Sequence, residues 1–109
     1  AVPVLGNPVS TRLEILRTLY TLSDKRPGKI VKFYAAQING GYYSEINYQM
    51  RFLQERGLLE YSRNIISKQF SAALTESGIA FMEDAYQALK FDETEREARL
   101  EEIFARIKA

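Results

Sequence analysis

The strongest constraint on the fold is a change of apolar period at Gly57. Before it, Ile46, Met50 and Leu53 recur at helical spacing. After it, Leu59 and Tyr61 alternate, as do Phe70, Ala72 and Leu74, with the stretch Ser62 to Gln69 between them. Alternation sends successive side chains to opposite faces, which a period of 3.6 cannot do. Gly57 supplies the left-handed residue that closes the preceding helix. Thr75 can cap a further helix, along which Ile79, Met82, Tyr86 and Leu89 restore the helical spacing. Residues 44–89 therefore predict helix, strand, loop, strand and helix, the strands paired as a hairpin.

Upstream, Thr11-x-x-Glu14 has the pattern of a capping box, ahead of Leu13, Leu16, Leu19 and Tyr20 on one helical face. Asp24-Lys-Arg-Pro-Gly28 ends that first helix, since proline cannot continue it. Lys29 to Ile38 reads as a short second helix, although its Ile-Val and Phe-Tyr pairs suit a strand equally. Asn39-Gly40-Gly41 is a breaker, and Ser44 can cap the third helix. Downstream, Thr94-x-x-Glu97 offers a second capping box for a fifth helix along Leu100, Ile103 and Ile107. No Gly or Pro separates it from the fourth, so one long kinked helix is the other option.

The chain has 109 residues, enough for one core, and contains neither His nor Cys. That removes Ser-His and Cys-His catalysis, the usual zinc sites and any disulfide framework. No phosphate-cradling glycine loop or recognisable carboxylate pair is present either, so no enzyme, cofactor or metal is expected. No apolar run approaches the ~18 residues of a membrane span, and the opening segment is too short and too Pro/Gly-broken for a signal peptide. A cytoplasmic location is the expectation. The formal charge of +1 hides an asymmetry: residues 1–70 carry 10 Lys/Arg and 5 Asp/Glu, residues 71–109 carry 5 and 9. A basic front and an acidic tail suggest a polyanion at one surface and a different partner at the other.

Helix, helix, turn, helix, strand, loop, strand, helix is the order of a winged helix-turn-helix domain. The expected class is mainly α with a small antiparallel β-hairpin and a C-terminal helical extension. It divides into an extended arm over 1–9, a winged-helix unit over 10–75 and C-terminal helices over 76–109. Ile46-x-x-x-Met50-x-x-Leu53-x-x-x-Gly57-Leu-Leu-Glu resembles the recognition helix and first wing strand of MarR- and PadR-type regulators. Phe70-Ser-Ala-Ala-Leu-Thr-Glu-Ser-Gly78 resembles their second wing strand and the Leu-Thr-x-x-Gly that opens the next helix. The likeness spans about residues 11–89 and rests on apolar and turn positions rather than identity. The chain departs from it in a second helix without the usual small-residue and Leu signature, and in an apolar wing bearing Ile65 and Ile66. The resemblance implies a transcriptional regulator of double-stranded DNA, with a recognition helix at about 44–56 in the major groove and a wing at about 62–69.

The residue chemistry leads to the same partner. Tyr43, Ser44, Asn47, Tyr48 and Arg51 sit early on the third helix, where Asn can pair with adenine, Arg with guanine and hydroxyls with phosphate. Lys25, Arg26, Lys29 and Lys32 are expected to flank it at the backbone, and Arg63 and Lys68 to bracket the wing. Tyr42 and Tyr43 suit packing over the turn as well as DNA contact. Glu45 either reads a cytosine amino group or favours the positive end of the helix dipole. Ile79, Met82, Tyr86, Leu89, Leu100, Ile103 and Ile107 form a heptad-like seam that a two-fold homodimer would cover, unless these helices fold back on the first within one chain. No cluster points to a small-molecule effector. The competing class is a winged helix used as a protein-interaction module, an adaptor or assembly subunit, which the modest net charge and apolar wing tip favour.

Overall fold

In the computed structural model, which describes residues 7–108, Asn7 rather than Thr11 opens the first helix. Its side chain accepts from the Val9 N–H at 2.8 Å, and Pro8 takes the first helical position, where a missing N–H leaves no bond unmade. Helix α1 thus runs over Pro8–Leu22. Of the expected arm, residues 1–6 lie outside the described residues, and Pro8 and Val9 belong to the helix. Glu14 does not reach back to Thr11; it pairs one turn on with Arg17. The buried face of α1 is Arg12, Ile15, Leu16, Leu19 and Tyr20. Asp24 and Lys25 then take left-handed backbone angles (φ 57° and 64°) that turn the chain out of the helix.

The segment expected as a second helix divides into strand β1 (Val31–Phe33) and a 3-10 turn at Ala35–Gln37. The strand option prevails because Val31 and Phe33 are buried with Lys32 exposed between them, and β3 offers an edge to pair with. Helix α2 follows at Tyr43–Glu55, one residue ahead of Ser44, with Tyr42 as its N-cap. Gly57, at φ 77°, ends it. Strands β2 (Leu59–Arg63) and β3 (Phe70–Leu74) form the expected hairpin, but the sheet has three strands in the order β1-β3-β2, all antiparallel. The pairing aligns Val31, Ala72 and Tyr61 in one row and Phe33, Phe70 and Arg63 in another. Phe70 is fully buried, with the rings of Phe33, Tyr43 and Tyr61 within 5.3–6.1 Å of its own. One side chain therefore joins β1, α2 and β2.

Thr75 caps helix α3 (Glu76–Ala88) by accepting from Gly78 N–H at 3.1 Å, as expected. Helices four and five are separate: the chain turns at Leu89–Phe91, and Asp92, not Thr94, caps α4 (Glu93–Phe104). A 3-10 turn at Ala105–Ile107 closes the chain. Helix α3 and the final 3-10 turn pack back on α1, and α4 packs on α3, which corrects most of the expected dimer seam. Ile79, Met82, Ile103 and Ile107 are buried in the chain's own core, and Leu100 is half-buried against it. Burial here removes the apolar surface that a partner would have had to cover. Tyr86 and Leu89 alone of that group stay exposed, at 40% and 53%. The protein is thus mainly helical, with a small antiparallel sheet. Among the described residues no helix is long and apolar enough to cross a membrane.

Candidate nucleic-acid interface

Helix α2 divides cleanly by face. Ile46, Gln49, Met50 and Leu53 point into the core, whereas Ser44, Tyr48 and Arg51 are exposed and follow one another at spacings of four and three. Tyr48 is 61% exposed although aromatic. Asn47 is half-buried, and its Oδ1 accepts the Tyr61 hydroxyl at 2.9 Å. That bond fixes the amide and occupies one of the lone pairs that pairing with adenine would draw on.

Two residues of the hairpin join this face at the first turn of α2. Arg63, at the end of β2, donates to the Tyr43 hydroxyl at 2.9 Å. Lys68, in the loop before β3, sets its ammonium 4.6 Å from the centre of the same ring. Tyr43 itself is half-buried, stacked on Phe70 at 5.3 Å. The ring packs, one of its two expected roles, and the hydroxyl accepts from Arg63. The hairpin loop 64–69 is tightly hydrogen-bonded, since Asn64 Oδ1 accepts from both Ile66 and Ser67 N–H at 2.9 Å. The loop's bonds and the contacts to Tyr43 together keep Arg63 and Lys68 beside α2.

The expected basic flank is looser. Without a second helix, Lys25, Arg26 and Lys29 lie on the connection after α1, and Lys32 points out from β1. Lys25 leans over the Tyr20 ring at 5.9 Å, and Arg26 lies 4.0 Å from Asp24. These four cations are exposed but are not brought against Tyr43, Tyr48 or Arg51 by any contact.

Glu45 turns away from solvent-facing readout, accepting from Gln49 Nε2 at 3.0 Å. Gln49 in turn accepts from buried Arg12 Nε at 2.6 Å, and Arg12 Nη1 donates to the Ile107 carbonyl at 2.6 Å. The Arg12 guanidinium lies 3.5 Å from the centre of the Phe52 ring. Arg56 covers Phe52 too, at 4.5 Å, and donates to the carbonyls of Arg106 and Lys108. Burial pulls the Arg12 group down from its ordinary value; Tyr48 pulls it up, Arg56 down again and Glu45 up. It stays cationic, as guanidinium does in proteins. The back of α2 is thereby tied to the C-terminal turn through two arginines and one phenylalanine. Motif spacing does not flag this set, but Arg12 stands one turn before Ile15 and Leu16 on the apolar stripe, and Gln49 stands within that of α2.

Chemically, the exposed face of α2 presents hydroxyl and guanidinium donors, and the base of the hairpin adds a guanidinium and an ammonium at Tyr43. Such donors suit phosphate oxygens and base-edge acceptors. Comparison of the chain with protein-family models, curated proteins and solved structures gives no match.

Proposed function

We propose that this chain is a winged helix-turn-helix regulator that binds double-stranded DNA as a homodimer. In this reading α2 enters the major groove and the 64–69 loop is the wing. The element order and the β1-β3-β2 sheet support it, with the 3-10 turn at Ala35–Gln37 standing where such a domain has its second helix. The observation that carries it is the joining of Arg63 and Lys68 to Tyr43, which sets the hairpin's cations at the first turn of α2.

The test is binding to random-sequence duplex across a salt series, followed by selection of bound sequences from a random pool. The expected result is a linear fall of log K with log salt, of slope roughly −0.9 per phosphate contact. Arg51→Ala is expected to weaken the selected site more than random duplex, because a base contact contributes only where its base is present. Equal losses would make Arg51 a phosphate contact. The protein-interaction module is the second reading, favoured by Ile65 and Ile66, which are 69% and 94% exposed. Failure to bind duplex at low salt would leave that reading in place.

A further inference from the structure

We propose that the tip of the β2–β3 hairpin is an apolar wedge for duplex DNA: Ile65 and Ile66 enter the minor groove and part a base step, while Arg63 and Lys68, together at its base, hold the adjoining phosphates. The inference rests on the DNA-binding reading above and adds a mode of contact to it.

Single exposed apolar residues are common on protein surfaces, so exposure alone decides nothing. Here two adjacent β-branched residues are held out by a turn with little freedom to fold them away. Asn64 Oδ1 accepts from Ile66 and Ser67 N–H, Asn64 N–H donates to the Gln69 carbonyl at 2.9 Å, and Lys68 N–H donates to the Asn64 carbonyl at 2.7 Å. Lys68 takes a left-handed backbone angle (φ 66°) to close the loop. The tip is therefore presented already shaped, and ordering it on binding loses little entropy.

Charge identifies the occupant. Neither Arg63 nor Lys68 pairs with a carboxylate among the described residues, and both gather at the Tyr43 ring, so two cations stand together at the base of an apolar point. The minor groove has the complementary layout, a phosphate rail beside stacked bases. Apolar side chains inserted there unstack a step and kink the duplex by roughly 20–90°. Continuity with Ser44, Tyr48 and Arg51 on α2 favours DNA over other anionic surfaces, since those donors are suited to base edges.

The experiment uses the full chain and duplexes of about 30 base pairs with dyes at both ends, one with a central TA step, which unstacks easily, and one with a stiff A-tract. The wild type is expected to shorten the end-to-end distance of the TA duplex on binding. Ile65→Ser/Ile66→Ser is expected to abolish that shortening and weaken TA-duplex binding by about tenfold, with the salt slope unchanged. Lys68→Ala should do the converse, lowering the slope by about one contact and keeping the bend. Binding without bending, or bending that survives the double substitution, overturns the wedge and leaves the DNA reading intact. No duplex binding by the wild type at low salt overturns both. Isoleucine-dependent cosedimentation with anionic phospholipid vesicles, without duplex bending, assigns the tip to a membrane surface and also overturns the wedge.

Discussion

A Cβ built on Gly78 stands 2.1 Å from the Leu58 carbonyl oxygen, a backbone atom that also accepts the Thr75 N–H at 3.1 Å and so has nowhere to go. Thr75 completes the joint by donating its hydroxyl to the Gly57 carbonyl at 2.6 Å while capping α3. Gly78→Ala must push the helix off β2, and we expect a loss of about 2–3 kcal/mol, at the upper end for overpacking. Urea denaturation measures it; an alanine variant as stable as the wild type would show that α3 does not lean on Leu58. The Leu-Thr-x-x-Gly pattern was legible in the sequence, and this close approach gives its physical reason. Asn47 and Tyr61 were only half legible. Both stand out as polar or aromatic at helix and strand positions, but their mutual bond crosses 14 positions and depends on how α2 meets β2.

At the scale of elements, legibility followed the strength of local signals. The hairpin, α2 and α3 each have a period and a stop of their own, and all three stand where the sequence puts them. The stretch 29–38 has a stop but no unambiguous period, and its strand exists because β3 supplies a partner, a tertiary fact that no local window contains. The latch behind α2 is likewise nonlocal, since Arg12 reaches Ile107 across 95 positions. Its geometry yields a prediction. Arg12 donates in two directions, through Nε to Gln49 and through Nη1 to Ile107, which a lysine's single ammonium cannot reproduce. Arg12→Ala and Arg12→Lys should both speed hydrogen exchange in α2 and at 103–108, with alanine losing about 3 kcal/mol of stability as buried partners go unpaired. Arg56→Ala, whose bonds are exposed, should free the C-terminal turn with a smaller loss. Unchanged exchange in α2 on removal of Arg12 would show that the C-terminal turn does not brace that helix.

For the whole molecule, the charge asymmetry and the burial pattern together narrow where a second copy can dock. Most of the heptad-like seam is spent inside the chain, which spacing could not reveal because a helix face turned to a partner and one turned to its own core have the same period. What remains apolar and exposed at this end is Leu22 on α1 with Tyr86, Leu89 and Phe91 at the end of α3. Tyr20 and Tyr86, with rings 5.7 Å apart, bring those two helix ends together. The outer face of α4 is rich in exposed acidic residues and would repel its own copy. A two-fold contact is therefore expected through the α1–α3 end. Leu89→Glu would place two carboxylates against each other there without touching the core. Light scattering at micromolar concentration should give twice the 12.5 kDa chain mass for the wild type and the single mass for Leu89→Glu. The same substitution should roughly halve the salt slope of DNA binding, because half of the phosphate contacts leave with the second copy. A wild type of single mass would refute the dimer. A Leu89→Glu variant that keeps the double mass would move the interface away from this end of α3.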